Sequence, residues 1–245
     1  MNTDRAGAVR LALEVHAQVA RVDDVHVAIC PPLVYLDATG HALREVGSHV
    51  ALGAQNVFYE PEGAYTGEVS ARMLKDLGVR MVIAGHSERR HILGESDEVV
   101  GRKIGAIVGE GMTCILCVGE TIEERRSGRT DAVNERQLRA GLARVEARHM
   151  DRIVIAYEPV WAIGSGVAAT PADAQAAHAH IRNVLAEMFG KRVGQTTRIL
   201  YGGSAKPENV AELLAQPDVD GGLVGGASLR AELFGAIVHL ARPMA

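Results

Sequence analysis

No apolar run in this 245-residue chain reaches the roughly 20 residues that a membrane-spanning helix requires, so no membrane partner is expected. Cysteine is scarce. Three residues are an odd set in a chain of this size, which argues against a disulfide framework and for a reducing, cytoplasmic setting. There is no excess of basic charge either. A net charge of −4 and a pI of about 6.2 give nucleic acid or an anionic membrane surface nothing to hold, so any anionic ligand must be gripped by local groups. The opening Met1-Asn2-Thr3-Asp4 lacks the basic-then-apolar pattern of a secretory leader. No Gly/Ser linker, low-complexity stretch or compositional shift divides the chain, and one domain over residues 1–245 is expected. Ten histidines form no ligand cluster, and His86 with His91 does not make the zinc-protease spacing. Neither a metal nor a cofactor is expected.

What the chain does have is alternation. Strand-like apolar runs fall near Val25–Ile29, Val50–Ala54, Met81–Ala84, Thr113–Val118, Ile153–Tyr157, Arg198–Tyr201 and Gly221–Val224. Helical patterns separate them, among them Thr170–Phe189, with Thr170 as N-cap and Pro171 in the first turn, and Pro207–Ala215. Such alternation predicts an α/β fold with a parallel sheet and helical crossovers, either open and doubly wound or closed into a barrel. A closed barrel of this kind wants eight strands. The first element, roughly Asp4–Val22 with Thr3 or Asp4 as cap, is already a helix. The simplest reading is a barrel whose first strand is absent from the sequence as given.

The richest stretch is Ile155-Ala156-Tyr157-Glu158-Pro159-Val160-Trp161-Ala162-Ile163-Gly164-Ser165-Gly166. A β-branched run ends in one carboxylate, followed by a stiff proline hinge, the only Trp and a Gly-Ser-Gly segment. That pattern suits an acid or base delivered to the carboxyl end of a strand beneath a lid. Met81-Val82-Ile83-Ala84-Gly85-His86-Ser87-Glu88-Arg89-Arg90 brings an imidazole to another strand tip. Ser87 is read as the cap of the following helix, whose N-terminus disfavours the imidazolium and leaves a neutral donor. The plain alternative is a surface His beside a salt-bridged helix start. Two glycine-rich turns, Gly202-Gly203-Ser204 and Gly225-Gly226-Ala227-Ser228, follow the last two strands, where barrels often hold phosphate; tight ligand-free turns are the alternative. Gly164-Ser165-Gly166-Val167-Ala168-Ala169 resembles a dinucleotide fingerprint, but it does not directly follow its strand and is rejected. Cys114 and Cys117 are predicted to sit on opposite faces of one strand, which suits neither redox nor metal chemistry. The long segment from Gly53 to Gly67 is either a self-packed loop or a partner-binding one.

Together AYEPVWAIGSG, VIAGHSERR, GAYTGEVS, ILCVGE, ILYGGS and VDGGLVGGASL, in this order, resemble the triosephosphate isomerase family over about residues 2–240. The resemblance implies a TIM (β/α)8 barrel, here without its first strand. It implies a small phosphorylated three-carbon substrate, no cofactor and a homodimer. By position, Glu158 matches the family's proton-transferring base, His86 its neutral electrophile and Glu88 a supporting glutamate. Pro159–Ala169 match the lid. Gly164, Ser204, Gly225 and Gly226 match phosphate-binding groups, and Thr66 matches the tip of a loop entering the partner subunit's site. Two departures stand out. Val167-Ala168-Ala169 replaces a Lys-Thr-Ala-like triplet, and the chain opens at the tail of the family's Asn-Trp-Lys-Met-Asn-like run, so that asparagine and lysine are missing. Lys75, Lys103, Lys191 and Lys206 all fall in or beside helical patterns. The resemblance thus implies an isomerase, with an upstream start or a shortened chain as the reading of the gap. The alternative is an inactive barrel that binds a phosphorylated ligand or serves as a structural partner.

Overall fold

The computed structural model describes residues 1–163 and 169–242. Seven parallel strands lie in chain order: β1 (Ala28–Ile29), β2 (Ala51–Ala54), β3 (Met81–Ala84), β4 (Thr113–Val118), β5 (Ile153–Tyr157), β6 (Ile199–Tyr201) and β7 (Gly221–Gly222). Helix α1 (Arg5–Val19) precedes β1, and α2 (Leu36–Glu45), α3 (Ala71–Asp76), α4 (Ser87–His91) and α5 (Asp97–Gly109) follow the first three strands. Helices α6 (Ile122–Arg126) and α7 (Thr130–Leu142) follow β4, and α8 (Pro171–Phe189) and α9 (Lys191–Thr196) follow β5. Helices α10 (Val210–Leu214) and α11 (Ala231–Leu240) complete the order.

The sheet curls into an open barrel, and among the described residues no ladder joins β7 to β1. The helical layer is continuous where the sheet is not. Helix α1 packs on both α2 and α11, with His239 Nε2 3.0 Å from the Gln18 carbonyl and Arg242 Nε 2.9 Å from Asp24. Seven strands with a seam are what the sequence predicts.

Alternation along the strands sorts the core into two layers. Val82, Ala84, Cys114, Leu116, Val118, Ile153, Ile155 and Tyr157 face the helices. Ile83, Ile115, Cys117 and Ala156 face the barrel interior, with Met81, Val154, Leu200 and Leu223 half-buried beside them. Cys114 and Cys117 are thus on opposite faces, as the spacing predicts, and burial pushes both thiols up, away from reactive thiolate.

Several boundaries differ from the sequence reading. Strands β3, β4 and β5 match it to the residue, whereas the edge strands β1 and β7 are shorter, since each has a partner on one side only. Asp4, not Thr3, caps α1, its carboxylate accepting from the Gly7 N–H at 2.7 Å. Helix α10 starts at Val210 instead of Pro207 because Asn209 Oδ1 accepts from the Lys206 N–H at 2.8 Å and holds a turn there. Thr170 and Pro171 start α8 as expected, in a capping box with Asp173.

His178, on α8, is fully buried, with its ring edge-on to Tyr157 at 5.8 Å and Nδ1 3.1 Å from the Asp218 carbonyl. Burial pulls its pKa down to about 4, partly opposed by that carbonyl. An unfolded imidazole takes up its proton near pH 6.5, whereas the native one stays neutral down to about 4. Stability from this group is therefore intact above pH 6.5 and declines as the pH falls through that window, by up to about 3 kcal/mol. Urea unfolding of His178→Phe at pH 7.5 and pH 4.5 should show a smaller loss of stability on acidification than the parent chain.

Candidate active site

Parity along β5 decides where Glu158 goes. Val154 and Ala156 point inward, so the next residue of that parity, just past the strand, points into the mouth of the barrel. The Glu158 N–H continues the ladder to the Val118 carbonyl at 2.7 Å. A close backbone crossing fixes this position. A Cβ on Gly119 would lie 1.7 Å from the Glu158 carbonyl oxygen, so only glycine fits there.

The carboxylate is 2% exposed, and β3's tip supplies donors to it. Oε2 accepts from the Ser87 N–H at 2.8 Å, and His86 Nε2 lies 3.0 Å from Oε1. His86 is itself the N-cap of α4, its Nδ1 accepting from the Glu88 N–H at 3.3 Å. The Ser87 side chain, read from sequence as the cap, is instead in the first turn. With Nδ1 accepting, the neutral ring carries its proton on Nε2, facing Glu158. Burial lowers the imidazole pKa. The Glu158 hydrogen bond and the charges of Glu158 and Glu88 outweigh it, so the net shift is upward from 6.5. That corrects the helix-terminus expectation for this geometry: α4 has five residues, and two carboxylates beside the ring count for more than its short dipole. Glu88 sends its side chain outward, largely exposed, with Oε2 3.8 Å from His86 Nδ1.

The turn that leaves β5 is anchored by a carboxylate to which the sequence reading assigned no role. Glu120 is fully buried and accepts from Trp161 Nε1 at 2.8 Å and from the Tyr157 hydroxyl at 3.1 Å. Burial raises its pKa, against those two bonds and Arg125. Arg125 stacks over the Trp161 ring at 4.2 Å and donates to Asp173 Oδ1 at 2.7 Å. Asp173 completes the capping box that Thr170 opens at the start of α8. One arginine thus joins the turn after β5 to the start of α8. The signal was available: Glu120 ends an apolar strand run, as Glu158 does.

Ser204, Gly225 and Gly226 follow β6 and β7, on the rim that carries Glu158 because all three strands are parallel. Gly225 and Gly226 are exposed, and a Cβ on either would meet nothing within 4 Å. Gly164 lies outside the described residues, as do Ser165, Gly166, Val167 and Ala168. Thr66 is exposed, on a loop packed by Phe58 against Tyr59 and Tyr65 at 4.2 and 4.7 Å between ring centroids. Arg102 of α5 stacks over Tyr59 at 3.7 Å, and Lys103 donates to Asn56 at 2.7 Å. Lys75 pairs with Glu110 and the buried Lys103 with Glu95; Lys191 opens α9 and Lys206 precedes α10.

The model of the triosephosphate isomerase family matches residues 1–241. The chain belongs to the triosephosphate isomerase family. Curated relatives of that name agree along most of both chains. The one from Carboxydothermus hydrogenoformans is 53% identical over 235 residues, 96% of this chain and 92% of its own. Those from Symbiobacterium thermophilum and Hydrogenovibrio crunogenus are 54% and 49% identical, covering 89% and 98% of this chain and 84% and 94% of their own. Membership makes the chain an isomerase, in agreement with the sequence reading, and nothing in these comparisons favours an inactive barrel.

Because Glu158 is the main influence raising the His86 pKa, Glu158→Gln should lower it. An NMR titration of the His86 ring in parent and variant measures the shift; an unchanged or higher value would contradict the contact.

Proposed function

We propose that the chain interconverts dihydroxyacetone phosphate and D-glyceraldehyde 3-phosphate, with Glu158 as the base and His86 as the electrophile. The observation that supports this most directly is the 3.0 Å contact between a 2%-exposed carboxylate and an imidazole N–H on one rim. Glu158 takes a proton from the carbon beside the substrate carbonyl, while His86 Nε2–H hydrogen-bonds the carbonyl oxygen and stabilises the charge that develops on it. The resulting enediolate receives the proton back from Glu158 at the neighbouring carbon, so no atoms are gained or lost. To act, Glu158 leaves the Ser87 N–H and His86, and the substrate oxygen takes its place on Nε2. Ser204, Gly164, Gly225 and Gly226 are assigned to the phosphate, mainly through backbone N–H groups. Water exclusion by the lid, for which this family is a familiar example, protects the intermediate from losing phosphate. Glu88 acts at a remove, through its N–H on His86 Nδ1.

A homodimer fits the same reading. Thr66 and Tyr65 are exposed on a loop braced from behind by Arg102 and Lys103, and Ile92 and Leu93 after α4 are 77% and 62% exposed. Apolar side chains left in water beside a braced loop suit burial against a second copy. A cytoplasmic location is consistent with three free cysteines, and no described helix is long and apolar enough to cross a membrane.

Shortening the base by Glu158→Asp moves the carboxylate by about one methylene and should lower kcat on the order of 10²-fold, with KM little changed. Steady-state rates in both directions measure it, and parent-like turnover would remove Glu158 from the role. The double variant Ile92→Asp with Leu93→Asp should shift the mass seen by sedimentation from dimer to monomer. An unchanged mass would make the loop merely self-packed.

A further inference from the structure

We infer that Arg90 is a positioning residue for the reaction, the strut that holds the His86–Ser87 turn at its working distance from Glu158; this rests on the roles assigned above to His86 and Glu158. Arg90 lies on α4, four residues after His86, yet its side chain is 7% exposed and runs back under the turn. Nε donates to the Gly85 carbonyl at 2.7 Å, the peptide that leads into His86. Nη2 donates to the Cys117 carbonyl on β4 at 3.1 Å, and Nη1 to Asp97 Oδ1, at the start of α5, at 2.6 Å. One planar fork thus ties the tip of β3 to β4 and to a helix start, a geometry that lysine's single ammonium cannot reproduce.

The turn is shaped around this side chain. Gly85 has φ +72°, and a Cβ there would lie 2.8 Å from Arg90 Nη2 and 2.9 Å from Val100 Cγ1. The Arg90 backbone N–H also bonds the His86 carbonyl at 3.1 Å. The peptide before His86 and the carbonyl after its Cα are therefore both held by one residue. Cys117 pairs in register with Ala156, two residues before Glu158, so the far end of the strut sits on the ladder that positions the base. Arg90 touches neither reacting group in the structure. What it sets is the separation between a ring and an N–H on β3's tip and a carboxylate on β5's. A displacement of about 1 Å in such a constellation costs on the order of 10²-fold in rate.

Arg90→Gln and Arg90→Lys, with Asp97→Asn as a milder variant that removes the charge from one arm of the fork, test this against Glu158→Asp as reference. Thermal midpoints, kcat, KM and the ring nitrogen signals of His86 are measured on the folded fraction. Arg90→Gln should lower kcat about 10- to 100-fold while KM stays within about threefold, with Asp97→Asn smaller in the same direction and Arg90→Lys recovering little. The His86 ring signals should shift or broaden in step with kcat. A merely structural Arg90 would lower the thermal midpoint and leave kcat per folded molecule and the ring signals unchanged, which overturns the inference. If Arg90→Gln does not fold, Asp97→Asn and Arg90→Lys decide by the same two readouts. If Glu158→Asp keeps parent turnover, the assigned base is at fault, and the ring signals alone decide whether Arg90 fixes His86.

Discussion

A carboxylate withdrawn from water has to be met by donors, and the mouth of this barrel is organised by how Glu158 is met. Its two oxygens face the Ser87 N–H and His86 Nε2, which stand together on β3's tip, while the acid arrives on β5. Strand β4 lies between them, so the separation is set by two ladder spacings and by the turns that leave each strand. Gly119 lets the β5 exit pass close enough, and Gly85 turns the chain so that His86 faces inward. The resting site is therefore an internally satisfied polar cluster. It gives up those contacts only to a ligand that supplies replacements.

Much of this was legible in the residues. The central strands were read to the residue because each is an unbroken apolar run paired on both sides. The carboxylate that directly follows β5 was likewise read at the carboxyl end of its strand, and the structure adds the parity that turns it inward. The edges were less legible: in β1 and β7 the ladder stops where a single neighbour stops, and composition does not reveal that. Caps chosen by residue type went astray where a side chain acted out of type. An imidazole took the role expected of Ser87, and Asn209 delayed a helix that Pro207 appeared to open. The helix-end argument for a neutral His86 was sound in kind, but it left out Glu88, two residues on, and no spacing along the chain could bring Glu158 within bonding distance of the ring. Glu120, which anchors the turn after β5, has its side-chain partners in two separate segments, at Tyr157 and Trp161 and at Arg125. Only the strand-then-acid pattern pointed to it.

The seam raises a different question of balance. A sheet with two open edges exposes ladder groups that a closed barrel would pair, and such edges favour association. Here the helical layer bridges the discontinuity through α1 and α11, while Met81, Val154, Leu200 and Leu223 remain half-buried on the interior side. The wall of β3, β4 and β5, where His86 and Glu158 meet across β4, is the most extensively paired part of the sheet. The His86–Glu158 pair thus sits on the side of the molecule farthest in strand order from its discontinuity.

The Arg125 bracket has a further consequence. Because one guanidinium spans Trp161 and Asp173, the two ends of the chain segment between them are fastened to each other. The letters between them, Val167-Ala168-Ala169 among these, can then vary while the framework residues at the two ends keep their partners. The join is thus written in residues that lie outside the stretch it encloses.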